Sequence, residues 1–241
     1  MNNKTIVIIP TYNEIENISR IIDLVISEDK NIDVLVVDDN SPDGTSSIVS
    51  QKEVIFKNRV FLIKRLDKKG LGTAYIEGFR WALKRKYDFI VSMDADFSHN
   101  PIELTKMIRY FSNGVDVVVG SRYLNGVSVV NWPIGRIFLS YIAQIYVRLI
   151  TGMPINDPTS GFVAYSKESI NALNLDKFRF IGYAFQIEMK YKIWKKKFKL
   201  KEHQIIFMNR ELGESKLDKK IILEAVFGVL KLRLDSILKR L

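Results

Sequence analysis

The segment Val91-Ser92-Met93-Asp94-Ala95-Asp96 carries the strongest chemical signal in the chain. An apolar run from Asp88 to Met93 reads as a strand, and it ends in two carboxylates separated by one small residue. Carboxylate oxygens are hard ligands that suit Mg²⁺ or Mn²⁺, ions that keep open positions for substrate phosphates. Two acids at the carboxyl end of a buried strand therefore read as a seat for a metal–diphosphate pair. The competing reading is a turn whose aspartates cap the next helix. That helix already has a cap of its own: Asn100, then Pro101 at its first position, then Glu103 three residues after Asn100.

Two further turns carry chemistry. Pro10-Thr11-Tyr12-Asn13-Glu14 follows the first strand signal and has no glycine, whereas a dinucleotide-binding turn needs glycines for close backbone approach to a pyrophosphate. Nicotinamide and flavin cofactors are thereby disfavoured. Tyr12 can stack on a base and Glu14 can accept hydrogen bonds from base or ribose, while Asn13 reads as a helix N-cap with Glu16 at N3. The second strand ends in Asp38-Asp39-Asn40-Ser41-Pro42-Asp43-Gly44-Thr45. Asp39 is placed to bond a ribose hydroxyl or a base edge; Ser41 to Gly44 are turn formers. Lys69-Gly70-Leu71-Gly72-Thr73-Ala74 lacks the Gly-Lys-Ser/Thr ending of a phosphate loop and reads as a tight helix–sheet contact.

The elements that position these residues alternate between strand and helix. Strand signals are Thr5–Ile9, Asp33–Val37, Val60–Ile63, Asp88–Met93 and Val115–Val119; helical patterns are Glu14–Ser27, Thr45–Phe56, Gly72–Lys86 and Pro101–Ser112. Near-continuous apolar strands between helices predict an α/β fold with an open, doubly wound, mostly parallel sheet. Asn13-Glu14, Asp38-Asp39, Arg65, Asp94/Asp96 and Ser121-Arg122 then all fall past strand C-termini, the edge where such sheets bind ligands. The second half predicts a helix from Pro133 to Ile150, a strand at Phe162–Ser166, a helix at Phe180–Trp194, a strand near Gln204–Met208 and a closing helix from Lys219 to Leu241. No linker or repeat divides the chain. It reads as one domain, residues 1–241.

Composition excludes several alternatives. The 241 residues contain no cysteine and only two histidines, His99 and His203, which rules out disulfides and makes a zinc cluster or a Ser-His-Asp triad a poor fit. The net charge of +10 favours anionic partners. Lys190 to Lys201 holds seven lysines and reads first as a solvated helix face, second as a surface meeting membrane phosphates. The basic residues form no nucleic-acid motif and the predicted crevice is acidic, so nucleic acid is not the expected partner.

Taken in order, these motifs resemble the dolichol-phosphate (polyprenol-phosphate) mannose synthases, which are inverting glycosyltransferases of family 2 with the GT-A fold. The resemblance continues through Gly120-Ser121-Arg122-Tyr123, Asn131-Trp132-Pro133, Asp157-Pro158-Thr159-Ser160-Gly161-Phe162, Gly182-Tyr183 with Gln186 and Glu188, and Arg210 to Leu217. It implies transfer of mannose from GDP-mannose to a polyprenyl phosphate with Mg²⁺ or Mn²⁺, with residues 1–122 as a nucleotide-sugar-binding half and 123–241 as an acceptor and membrane-interface half. The turn Asn40 to Gly44 tilts it away from UDP-glucose relatives. By the same resemblance Pro10, Tyr12, Glu14, Val37 and Asp39 hold the guanosine, and Asp94, Ala95 and Asp96 meet the diphosphate and its metal. Ser98 stands at a third metal position, where some members carry Gln. Arg210 and Lys216 reach the diphosphate from a loop hinged at Gly213, and Arg122 and Arg136 clamp the acceptor phosphate. Glu188 is the reserve base should the acceptor be an alcohol.

The predicted helix after Pro133 adds a lipid signal. Arg136, Ser140, Gln144 and Arg148 form one narrow polar stripe, and nearly everything else is large and apolar. Such a helix is either buried or lies in a membrane interface, being shorter than the roughly 20 residues of a span. The closing helix repeats the theme, with Ile222, Leu223, Val226, Phe227, Leu230, Leu234 and Leu238 on one face; docking on the domain or on a second chain is its alternative. With no signal peptide, and no spanning helix at its end where some family members have them, the chain is expected to rest at the cytoplasmic face of a membrane, alone or through an anchoring partner.

Overall fold

The computed structural model describes residues 3–182, 184–209 and 219–238, with side chains from 226 onward in the last stretch. The first half runs β1 (Thr5–Thr11), α1 (Ile15–Glu28), β2 (Ile32–Asp38), α2 (Thr45–Ile55), β3 (Val60–Lys64), α3 (Leu71–Lys84), β4 (Phe89–Ser92), α4 (Glu103–Arg109) and β5 (Val117–Ser121). The second half adds β6 (Val129–Val130), α5 (Ile134–Thr151), β7 (Val163–Ser166), α6 (Lys167–Asn171), α7 (Ala184–Lys195), β8 (Leu200–Gln204), β9 (Phe207–Met208) and α8 (Lys219–Ile237). Seven strands form one sheet in the order β3-β2-β1-β4-β7-β5-β8, and β6 pairs with β9 beside it.

Side chains alternate across this sheet with the period of two that strands impose. Ile6, Ile8, Leu35 and Val37 enter one buried layer with Tyr75, Phe79 and Phe185. Val7, Ile9, Val34 and Val36 enter the other with Ile18, Ile22 and Val25 of α1. Both faces are covered, so the strands are apolar throughout and the first half follows the sequence reading to within a few residues. One difference is topological: β7 enters antiparallel between β4 and β5. No local signal distinguishes its Val-Ala-Tyr-Ser from a parallel strand.

Two helix starts differ from expectation. Asn13 adopts φ 58 and is not the N-cap of α1; Glu14 is. The orphan amides there are capped from the neighbouring turn: Asn13 N donates to Ser41 Oγ, Glu14 N to Thr45 Oγ1 and Ile15 N to Asp43 Oδ2, each at 3.0 Å. At α4, Asn100 Oδ1 accepts from Ile102 N at 3.2 Å, but Glu103 bonds Lys106 and His203 instead of reaching back to Asn100. The regular helix ends at Arg109 and a 3₁₀ turn, Tyr110–Asn113, follows.

Helices α5 and α8 settle which faces are covered. Gln144, Val147 and Thr151 are the buried residues of α5. Ile134, Phe138 and Leu149 are 85%, 67% and 79% exposed, and Leu139, Tyr141, Ile142 and Ile145 join them on the outside. The polar stripe thus packs inward, with only Arg148 left outside, and the broad apolar surface faces out. On α8, Val229, Leu232 and Asp235 are buried, while Val226, Phe227, Leu230, Leu234, Ile237 and Leu238 are exposed. At 18 residues α5 is long and apolar enough to cross a membrane by length and composition, which revises the expectation that it falls short.

The Gly70-Leu71-Gly72 turn packs tightly, but against Phe180 and against Phe185 of α7 and not against the sheet as expected. A Cβ on Gly72 would lie 2.8 Å from the Phe180 carbonyl oxygen and 2.9 Å from the Phe185 ring. Gly72→Ala should therefore cost roughly 1–3 kcal/mol, as overpacking does. A urea titration reads this as a lower midpoint at unchanged slope; an unshifted midpoint would mean the helix can move aside freely.

Candidate active site

The acid pair sits where β4 stops. Asp96 is buried and its Oδ1 accepts from the Ser98 amide at 3.1 Å and the Ser98 hydroxyl at 2.6 Å. Ser98 therefore orients Asp96, its hydrogen already committed there. The Asp94 side chain is more open, at 38%. Its backbone N–H donates to His99 Nδ1 at 3.1 Å, which leaves the proton of the imidazole on Nε2. His99 stacks on Phe162 at 4.9 Å. Burial lowers its pKa to about 4, so the ring is neutral and its 3.9 Å approach to the Asp94 carboxylate is no ion pair. Tyr75 lies beneath, its hydroxyl donating to the Met93 carbonyl at 3.4 Å.

The donor residues of β1 and β2 occupy the adjoining edge, since β1 is hydrogen-bonded to both β2 and β4. Pro10 and Tyr12 are half-buried there and Glu14 accepts from Asn17 Nδ2 at 2.9 Å. The Lys68 ammonium stands 3.8 Å from the centroid of the Tyr12 ring. Asp39 is buried, 2.8 Å from Arg65 Nη1, and accepts from the Gly70 amide at 3.3 Å. Burial raises its pKa, against the opposing pull of Arg65. Val37 is wholly enclosed in the core, so its side chain forms the floor of this edge and cannot touch a ligand. Asp38 is structural: it accepts from Thr11 Oγ1 at 2.8 Å and from Ser41 N and Oγ at 3.0 and 2.5 Å.

On the other side of Asp94 and Asp96 a groove of about 450 Å³ runs outward between α5 and the loop 157–161. Asp94, Asp96, Ser98 and His99 line it together with Arg122, Trp132, Arg136 and Asn209 and with the apolar Leu139, Ile142, Ala143, Tyr146 and Val226. Arg136 donates to Asn209 Oδ1 at 3.0 Å, and its guanidinium lies 4.0 Å from the Trp132 ring centroid. Arg122 is held by Asp157: Nε to Oδ2 and Nη2 to Oδ1 at 2.7 Å, and backbone N to Oδ2 at 3.1 Å. Its Nη2 also reaches Thr159 Oγ1 at 2.7 Å.

Sequence reasoning thus brings Asp94, Asp96, Ser98, Arg122 and Arg136 to one groove. It misses Asp157, Thr159 and Lys190, which hold the groove wall from behind. Asp157 and Thr159 stood in a quoted motif, but only their partners reveal a role. Lys190 was grouped with the solvated lysines, yet it is fully buried and donates to the Ser160 carbonyl at 2.7 Å. The reserve base is corrected: Glu188 accepts from the amides of Arg179 and Phe180 at 3.1 and 3.3 Å, pairs with Lys192 at 2.7 Å and does not line the groove. Arg210, Gly213 and Lys216 lie outside the described residues.

A mostly parallel α/β sheet carrying an acid pair at the end of β4, between the turns of β1 and β2 and a groove beside α5, has the form of a GT-A glycosyltransferase. The chain belongs to glycosyl transferase family 2, whose model matches residues 6–173. It is 42% identical over 226 residues to polyprenol monophosphomannose synthase of Mycolicibacterium smegmatis, covering 94% of this chain and 85% of that one. It is 40% identical to undecaprenyl-phosphate mannosyltransferase of Micrococcus luteus, covering 94% and 92%. A dolichol-phosphate mannosyltransferase of Pyrococcus furiosus is 38% identical, and the match spans 95% of this chain and 63% of that longer one. Among solved structures, glucosyl-3-phosphoglycerate synthase from Mycobacterium tuberculosis with Mn²⁺ and UDP-glucose shares the fold, with TM-score 0.69, 16% identity and coverage of 95% and 79%.

Arg122 of the groove and Asp157 behind it form a buried ion pair. Asp157→Ala strands a buried guanidinium and should cost about 3–5 kcal/mol in chemical denaturation. In the intact protein, burial pushes the Asp157 carboxyl up, but Arg122 outweighs it and the net pKa falls below 3.8. A depressed carboxylate stabilises fully above its unfolded value and loses that contribution as pH falls through the folded one. The variant should therefore show a shallower acid limb of stability below about pH 4.

Proposed function

We propose that the chain transfers mannose from GDP-mannose to a polyprenyl phosphate, with inversion, at the lip of this groove. The observation that carries the reading is that one groove combines carboxylates, arginines and an apolar stretch of α5, and that α5 and α8 turn apolar faces outward. A lipid phosphate is the acceptor that matches such a combination. The names of the relatives support both the mannosyl group and the polyprenyl phosphate.

The residues fit a divalent metal. Asp94 and Asp96 offer hard oxygens, and among the described residues no cluster of three His, Cys, Asp or Glu is present, so donor phosphates would complete the coordination. Mg²⁺ and Mn²⁺ satisfy this donor set equally. When bound, the ion supplies Lewis-acid stabilisation of the departing diphosphate. Asp94 and Asp96 hold it, Ser98 fixes Asp96, and the His99 ring fixes the turn through the Asp94 amide.

The chain needs no general base. A phosphate monoester has a second pKa near 6 and is largely dianionic at neutral pH. One of its oxygens forms the bond to the anomeric carbon from the face opposite the leaving group. The bond from that carbon to the diphosphate oxygen breaks, and GDP departs with the electron pair. An α-linked donor gives a β-linked product. Arg136 orients and balances the acceptor phosphate, with Arg122 behind it shaping the wall through Asp157 and Thr159. Tyr12, Glu14, Asp39 and the backbone at Pro10 hold the nucleoside. Arg210 and Lys216 act on the diphosphate in this reading.

Lipid contact follows from α5 and α8. Their outward apolar side chains would enter the interface of a membrane, placing the enzyme peripherally at its cytoplasmic face, alone or beside an anchoring subunit.

Transfer of labelled mannose from GDP-mannose to a short polyprenyl phosphate tests the reaction. EDTA and Asp96→Ala should each lower the rate on the order of a thousandfold, the equivalent of several kcal/mol of transition-state stabilisation. Arg136→Ala should raise the acceptor KM. Product from UDP-glucose and none from GDP-mannose would overturn the donor. In liposome flotation, Phe138→Asp with Leu149→Asp should weaken binding at least about tenfold, since burying each apolar side chain is worth roughly 1.5–3 kcal/mol. Unchanged flotation would remove the helix from the interface.

A further inference from the structure

We propose that Lys190 is a positioning residue for the phosphate-binding wall of the groove, acting through the Ser160 carbonyl and, when charged, offsetting the excess carboxylate behind that wall. The inference rests on the groove being the acceptor site.

Helix α7 is buried at every residue from Ala184 to Tyr191. A lysine enclosed in this way loses its hydration, and a neutral chain of the same length would fill the space at lower cost. Its ammonium goes to one place, the Ser160 carbonyl at 2.7 Å. Ser160 is tied in turn to β5 through its hydroxyl, which donates to the Gly120 carbonyl at 2.6 Å. The neighbouring Gly161 carbonyl accepts from Ser92 Oγ of β4 at 2.7 Å. Lys190 thus backs the segment that lines the groove directly opposite α5, one peptide behind its surface.

The charges around it explain why a cation is useful there. Arg122 and Asp157 neutralise each other through two parallel bonds. Glu202 is spent on the Asp157 amide at 2.9 Å and on Asn156 at 3.0 Å. Glu188, on the same helix, is turned to Lys192 and to the amides of Arg179 and Phe180. His99, across the wall, is neutral. Among the described residues Lys190 is therefore the cation of this cluster that no carboxylate pairs with, and it balances Glu202, whose partners are neutral amides. Burial lowers its pKa to about 7, Asp157 pulling upward and Arg122 pressing it further down. An anionic phosphate arriving in the groove favours the charged form, so acceptor binding draws a proton onto Lys190 when the free enzyme has lost it.

Calorimetric titration of the full chain with farnesyl phosphate tests this near pH 8, where the phosphate is already dianionic. Runs in two buffers of different ionisation enthalpy read the protons taken up. The wild type should take up a fraction of a proton. Lys190→Met should abolish the uptake and weaken acceptor binding about tenfold, the loss of a charge-assisted contact. Its GDP affinity should stay within about twofold, and its melting temperature should hold or rise because a buried charge has gone. Wild-type binding without proton uptake overturns the proposal even if the variant fails to fold. A folded variant that binds farnesyl phosphate with wild-type affinity and uptake reduces Lys190 to packing. Farnesyl phosphate binding to neither protein, with GDP binding intact, overturns the acceptor reading itself.

Discussion

The ion pair between Arg122 and Asp157 is the constraint on which the second half of the fold depends. Arg122 follows β5, Asp157 precedes β7, and the Asp157 amide is held by Glu202 of β8. Three strands that enter the sheet from distant parts of the chain are thereby locked at one corner. A buried pair of this kind gains little over an apolar substitute, but it is costly to break on one side only. Its value is geometric: the loop 157–161 has one arrangement that satisfies both charges, and that arrangement forms the wall facing α5. Arg122, expected to meet a phosphate directly, is occupied by this work, and Arg136 is left as the more accessible guanidinium.

The edge formed by the turns after β1 and β2, proposed to hold the donor, is built differently, from hydrogen bonds between turns. Ser41, Asp43 and Thr45 cap the start of α1 from outside the helix, and Asp38 holds Ser41 from below. The amides of Asn13, Glu14 and Ile15 all find their partners in the 41–45 turn, so the turns after β1 and β2 move as one body. That couples Tyr12 and Glu14, just past β1, to Asp39, just past β2. Asp39, paired with Arg65 and the Gly70 amide, also ties the nucleotide edge to the start of α3.

Helices α5 and α8 invert the usual amphipathic rule. In a helix packed on a water-soluble domain the apolar stripe faces the core. Here Gln144 and Asp235 are buried, while Phe138, Leu149, Phe227 and Leu234 face outward. The two helices are linked where the Tyr146 hydroxyl donates to the Val226 carbonyl at 2.9 Å. The close approach of α8 to the body depends on Gly228, where a Cβ would lie 2.7 Å from the Phe180 ring. An apolar platform held at the mouth of a polar groove is stable against water only as far as the interior contacts of the same helices permit. On the proposed reading its outer face is completed by lipid.

Much of this was legible in the sequence. The alternation of apolar runs with helical periods determined the α/β class, because strands covered on both faces must be apolar throughout. Since the polar turn residues follow those runs, the site had to gather at the C-terminal edge of the sheet, with Asp94 and Asp96 at its centre. Local chemistry also determined Gly72 as a packing glycine and Ser41 to Thr45 as a structural turn. Tertiary structure decided the rest. The direction of β7 depends on which edge is open when it arrives, and four residues carry no record of that. Periodicity located the faces of α5 and α8, but not which of them would be covered, because a helix with few polar residues reads the same buried or exposed. Lys190 shows the limit most sharply: among seven lysines in twelve residues its type and spacing are ordinary, and only the packing of α7 against the 157–161 loop takes it out of water. Burial belongs to the assembled fold, and the chemistry of a charged side chain follows from burial.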